Sequence, residues 1–132
     1  MGLHTLTKQE CLELLDDVPV GRVALTLKAL PVIIPVNYCL VGDSVVFGAM
    51  AGSSLSTAAE GAIAAFQADS YDETNRSGWS VMGVGPALHL HDAETLGRLD
   101  LKGDLPEPWA TGESAECYFQ IALQVLSGHR IT

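Results

Sequence analysis

Cations are scarce in this sequence: seven Lys and Arg stand against sixteen Asp and Glu, a formal charge of −9 at neutral pH. Such a balance repels nucleic acid and anionic lipid at long range, so neither is an expected partner. No run of about 18 uninterrupted apolar residues exists that could cross a bilayer as a helix. Met1 to Leu6 also lacks the basic and apolar regions of a signal peptide, and the expectation is a cytoplasmic protein. Cysteines number three, Cys11, Cys39 and Cys117, far apart and without a Cys-x-x-Cys pair. That excludes a disulfide framework and a zinc finger, and predicts buried thiols. Aromatic residues make up only 6%. Repeats, linkers and low-complexity tracts are missing, so residues 1–132 are expected to form one domain around one core.

What is present is short-range alternation punctuated by turns. Thr7 and Glu10 form a T-x-x-E capping box, followed by Cys11, Leu14 and Leu15 at helical spacing. Val18-Pro19-Val20-Gly21 ends that helix, and Val23, Leu25 and Leu27 then alternate with Arg22, Ala24 and Thr26 as a half-buried strand. Pro31 to Leu40 and Ser44 to Phe47 predict two antiparallel strands about a turn at Val41-Gly42-Asp43-Ser44. A short helix is expected between Ala51 and Glu60, a strand over 62–69, a polar loop over 70–77 and a long strand over 78–91. Asp92 caps a helix to about Leu101, Lys102 to Glu113 is a loop, and 117–125 is a final strand. Six strands interrupted by three short helices argue against regular βα units. The fold class expected is mainly β, an antiparallel barrel with short peripheral helices.

Several segments in order resemble the FMN-binding split-barrel family, the pyridoxamine 5'-phosphate oxidase-like proteins. They are Gly21-Arg22-Val23-Ala24, Leu30 through Tyr38, Gly42 through Phe47, Asp69-Ser70-Tyr71-Asp72, Gly78-Trp79-Ser80-Val81, Pro108-Trp109-Ala110 and Ser127 through Ile131. The resemblance covers essentially the whole chain. It implies a six-stranded antiparallel split β-barrel working as a homodimer, with a flavin in each of two interface clefts. Pro35, Val36, Asn37 and Tyr38 would line the ring from one strand, and Trp79, Ser80 and Val81 from another. Phe47, Ser53 and Ser54 fall where the family holds the cofactor phosphate. Taken alone, without the resemblance, Trp79 reads more readily as core and Asn37 as the end of a strand interaction.

The sequence departs from the family at the phosphate. Where relatives carry Arg, His or Tyr, a Thr and then a Lys, this chain has Gly48, Ala49 and Ser54. Losing two bonds to a charged group, each about 1.5–3 kcal/mol, would weaken phosphate binding roughly a hundredfold or more. Gly52, Ser53 and Ser54 at a helix start offer partial compensation through free N–H groups. The implied cofactor is thus FMN held weakly, an 8-hydroxy-5-deazaflavin coenzyme, or none.

Other chemistry is thinner. His89-x-His91 could begin a metal site, with Asp92 the nearest third ligand, or be a solvent-facing pair; no metal is expected. His129 and Arg130 could meet substrate or cap the last strand, and Trp109 could stack over a ring or anchor its loop. Asp69, Asp72 and Glu73 are expected to form a solvated turn rather than a calcium site. No Ser-His-Asp or Cys-His arrangement is evident, so no catalytic residue is assigned. The resulting expectation is a flavin- or deazaflavin-dependent oxidoreductase acting on a small planar substrate, with Asn37 and Ser80 orienting the ring. The alternative is a non-catalytic ligand-binding or structural dimer that has lost the flavin. If the clamp lacks only cations, Gly48→Arg with Ser54→Lys should create or tighten FMN binding in a fluorescence titration; no gain would sink that version of the pocket.

Overall fold

The computed structural model describes residues 2–109 and 114–132. The chain runs through β1 (Leu3–Thr5), α1 (Lys8–Leu15), β2 (Val20–Leu27), β3 (Leu30–Val41), β4 (Ser44–Ala49) and α2 (Ser54–Ala59). It continues through β5 (Ile63–Asp72), β6 (Ser77–His89), α3 (Ala93–Lys102), β7 (Cys117–Ala122) and β8 (Val125–Ile131). Local chemistry sets the joints. Thr7 and Glu10 make the reciprocal capping box of α1, and Asp92 caps α3, which ends on Gly103 in the left-handed conformation. A two-residue turn on Lys28 and Ala29, both at positive φ (51° and 65°), reverses β2 into β3 with Leu27 opposite Leu30.

All strand pairings are antiparallel, in the order β1-β8-β6-β5-β2-β3-β4-β7, and a further β6–β7 pairing closes six of the eight strands into a barrel. The fold is therefore a six-stranded antiparallel split barrel with three short helices among the described residues. β6 makes the closure. It pairs β5 through Ser77–Pro86 and β8 through Gly78–Val84, then turns to β7 through Ala87–His89. Between those two partners, at Gly85, a Cβ would sit 1.6 Å from the Ala122 carbonyl oxygen, so only glycine allows the approach.

The structure corrects two sequence expectations. The stretch 117–125 is two strands, because the chain turns at Leu123, whose N–H donates to the Asp43 carbonyl (3.1 Å), before β8 begins at Val125. The polar loop expected over 70–77 is mostly strand, with Asp72 opposite Ser77 and only 73–76 left as a turn. Asp72 organises that turn, its carboxylate accepting from the Thr74 and Asn75 N–H groups and the Asn75 amide.

Inward-facing Val23, Leu25, Val36, Val45, Phe47, Phe66, Val81, Phe119 and Ile121 fill the barrel, with Cys11 and Leu15 of α1 joining them. A second cluster of Val46, Leu90 and Leu99 lies outside the barrel, where α3 covers β4. Tyr38 stitches the first core to α1: its ring packs edge-on against Phe66 at 4.7 Å and its hydroxyl donates to the Leu15 carbonyl. Burial, then Asp16 and Asp17, push the Tyr38 ionisation well above the usual tyrosine range. The folded state keeps that proton while an unfolded tyrosine releases it near pH ~10, so this contribution is complete below that pH and is lost as pH rises. Tyr38→Phe, which orphans a buried carbonyl, should cost about 1–3 kcal/mol in urea unfolding at pH 7. It should also remove part of the stability decline seen above pH ~10; an unchanged midpoint would contradict the assigned bond.

Candidate functional site

The barrel's outer surface divides into two unlike halves. On one, α3 and the segment after it cover β4, where Val45 to Ala49 are all buried. On the other, β3, β2, β5, β6, β8 and β1 lie side by side, and their outward apolar side chains stay exposed among the described residues. Strand alternation aims Phe66, Ala68 and Val81 inward, and so aims Ala65, Gln67, Asp69 and Met82 outward. The uncovered half thereby presents Leu3 (68% exposed), Ile33 (71%), Ile63 (69%), Met82 (45%) and Val125 (64%). Apolar side chains at this exposure over one continuous sheet face are of the kind that interaction surfaces present.

Two hollows indent that face. One, of about 250 Å³, is lined by Leu3, Tyr71, Ile131, Ser80, His129 and Asp69, together with Ser70, Gly78 and Trp79. Tyr71 forms a wall by leaning on Gly78, where a Cβ would come within 3.1 Å of its ring. The other, of about 240 Å³, is framed by Ile33, Met82, Arg22 and Gln67 around Ala24 and Ala65, which face each other across β2 and β5. A polar strip runs between them. Arg22 approaches Gln67 (3.5 Å) and Asp69 (3.8 Å), and the Gln67 amide donates to Asp69 (2.9 Å) and Ser80 (3.2 Å). Arg22 and Asp69 compensate each other, so this strip is close to neutral in an acidic chain. A larger hollow of about 420 Å³, lined by Asp16, Asp17 and Asp104, suits an anionic ligand poorly.

The residues singled out in the sequence do not share one cleft. Ser80 lines the 250 Å³ hollow with its side chain outward, and Trp79 borders the same hollow while its side chain packs partly against the barrel core. Val36, Tyr38, Phe47 and Val81 are core residues. Asn37 spends its amide on the Glu107 carbonyl (3.0 Å), tethering the segment that leads to Trp109, which is 47% exposed. Pro35 lies on the outer face of β3 opposite Arg22. Ser53 caps α2 by accepting from the Ser56 N–H, and Ser54 is the first residue of that helix. Ala110, quoted with Pro108 and Trp109, and residues 111–113 of the same loop lie outside the described residues, as does Met1. Tyr71, Gln67, Leu3 and Ile131 were missed. Gln67 was legible from the alternation of 64–69, whereas Leu3 depends on β1, a three-residue strand without a sequence signal.

The phosphate expectation meets a physical obstacle. A Cβ on Gly48 would lie 2.6 Å from both the Pro106 carbonyl oxygen and the Ala115 Cβ, so this chain's own segment fills the space a cation would need. At the start of α2 a carboxylate is already in place, since Glu116 accepts from the Ala51 N–H at 3.0 Å. The proposed rescue by Gly48→Arg is thereby overturned on steric grounds.

Burial pushes the Cys39 thiol up to about 11, with Asp104 and Asp16 adding to the effect, and burial also raises Cys11 and Cys117. All three are protonated thiols at neutral pH rather than nucleophiles. His89 stacks on Phe119 (5.0 Å) and meets the tilted ring of His91 (3.9 Å), 4.0 Å from Glu60. Among the described residues, no three His, Cys, Asp or Glu side chains are placed to hold a metal ion. None of the described helices is long and apolar enough to cross a membrane.

Comparison with known proteins follows the same lines. The family model described as pyridoxamine 5'-phosphate oxidase matches residues 7–130. An uncharacterized protein of Mycobacterium tuberculosis is 32% identical over 131 residues, spanning 96% of this chain and 84% of that one. An FAD-binding protein from Mycobacterium smegmatis superposes with a TM-score of 0.77 at 24% identity, covering 99% of this chain and all of the other. An FAD-binding protein from Mesorhizobium loti gives 0.75 at 22% identity with complete coverage of both. At these identities the two structures establish the fold.

Gly48→Arg should lose about 1–3 kcal/mol or more of stability by overpacking and leave FMN affinity unimproved. Thermal melts paired with FMN fluorescence titration check this; a stable variant with tightened FMN binding would contradict the packing described.

Proposed function

The chain belongs to the pyridoxamine 5'-phosphate oxidase family, and from that premise we propose that it is a flavin-binding oxidoreductase, a cytoplasmic homodimer holding the flavin ring against its uncovered sheet face. The observation that carries the reading is that face itself, a broad apolar surface with a hollow walled by Tyr71, Leu3 and Ile131 and edged by Ser80 and His129. A flat apolar slot with a few polar groups along one edge fits an isoalloxazine ring. When bound, a flavin supplies hydride or single-electron transfer at its ring. The protein's part is to grip the ring, orient its polar edge and exclude water by apposing a second copy. The compensated Arg22–Asp69 pair lets two chains of charge −9 bring this face together.

FAD suits this site better than FMN or a deazaflavin coenzyme. Pro106, Ala115 and Glu116 occupy the place where the family pattern would put a cationic phosphate clamp, so affinity has to come from the rest of the cofactor. FAD brings an adenosine that can spread over the neighbouring apolar surface at Ile33 and Met82. The two FAD-binding proteins that share the fold support the same choice. The blocked clamp also favours the second reading, a non-catalytic dimer without flavin.

Absorbance and fluorescence titrations with FAD, FMN and a deazaflavin, on protein of known mass in solution, decide between them. The expected result is saturable FAD binding, one per chain, tighter than FMN; a dimer that binds none of the three supports the non-catalytic reading. Ile33→Asp, applied twice across a two-fold interface, should weaken association by about 3 kcal/mol or more, roughly a hundredfold, and take flavin binding with it. A mass in solution unchanged by Ile33→Asp would place the interface elsewhere.

A further inference from the structure

The polar strip between the two hollows has a fixed polarity. Arg22 can only donate, and Asp69 as a carboxylate can only accept. The Gln67 side chain lies between them, so its oxygen must face Arg22 (3.5 Å) and its NH2 must face Asp69 (2.9 Å). One amide hydrogen is then taken by Asp69, and the other points at the Ser80 Oγ, 3.2 Å away. Ser80 is therefore an acceptor toward Gln67, and its own hydrogen is left for another group. Among the described residues no side chain receives that hydrogen, and Ser80 lines the 250 Å³ hollow.

We propose that Gln67 is a positioning residue that acts through Ser80, turning the Ser80 hydroxyl into a hydrogen-bond donor toward an acceptor edge of the ring in this hollow. The inference rests on the reading that the hollow holds a flavin ring. It adds a selection rule: the polar edge facing β6 is a carbonyl oxygen or an unprotonated ring nitrogen, not an N–H group. Arg22 and Asp69 serve the same end by fixing the amide. His129, opposite Ser80 across β6 and β8, and Tyr71 also line this hollow.

Gln67→Glu tests the polarity with almost no change of shape. The new carboxylate keeps the bond from Arg22, yet it accepts from Ser80 instead of donating, and so draws the hydroxyl hydrogen away from the hollow. With FAD and FMN as probes and the full-length protein titrated from pH 5 to 8, Ser80→Ala should weaken binding about tenfold at every pH. Gln67→Glu should match that loss at pH 8 and recover toward wild type near pH 5, where the new carboxyl takes up a proton and can donate again. Asp69 beside it favours that uptake. Because every other group at this edge is common to both proteins, the ratio to wild type at each pH is what counts. In the Ser80→Ala background, Gln67→Glu should add no further loss and no pH dependence. A penalty that persists there would mean simple charge repulsion, and a Gln67→Glu protein equal to wild type at pH 8 would also overturn the positioning role. Flavin bound normally by wild type and by Ser80→Ala would end the donor assignment alone, whereas wild type binding neither flavin would end the reading of the hollow.

Discussion

The close approach at Gly85 is the constraint on which the rest of the molecule depends. A side chain there would collide with the Ala122 carbonyl, and without that approach β6 could not leave β8 and take up β7. The β6–β7 pairing turns a sheet into a barrel and lets Val81, Phe119 and Ile121 share one interior. The same change of partner leaves Gly78–Val84 beside β8, so β6, β8 and β1 extend the outer face beyond the barrel wall. The hollow walled by Tyr71, Leu3 and Ile131 exists because of that extension.

Closure also decides what covers the barrel. With β7 beside β4, Leu99 and Leu105 pack with Val46, and Pro106 and Ala115 close over Gly48, on the outside of β4. Among the described residues the opposite half receives no such cover. One outer half thus gains a second hydrophobic cluster and loses the room for a phosphate clamp, while the other remains open to a flat ligand and a second chain. Affinity for a flavin on this fold would then come from ring contacts and the apposed copy rather than from a cationic phosphate site.

Much of the fold was legible because local signals agreed with the tertiary outcome. The T-x-x-E box, the turn at Gly42 and the alternation of Val23, Leu25 and Leu27 each mark what they form. The misses have physical causes. Apolar alternation runs from Cys117 to Val125 straight across a turn held by the Asp43 carbonyl, a long-range bond no local pattern announces. Residues 70–72 look like loop because that end of the β5–β6 hairpin is exposed. Resemblance marked the stretches at 35–38 and 79–81, but only the pleat tells which side chains face out. It sends Ser80 outward and Val36, Tyr38 and Val81 into the core. The filled space at Gly48 was beyond reach, because Pro106 and Ala115 meet that position only in three dimensions.

Native mass spectrometry of the purified protein after incubation with FAD tests the central claim most directly, since it counts chains and cofactors in one particle. The account predicts two chains carrying two FAD molecules, with the loaded species lost together with the dimer as the complex is diluted. A monomer that retains FAD, or a stable dimer that takes up none at saturating concentration, would contradict it.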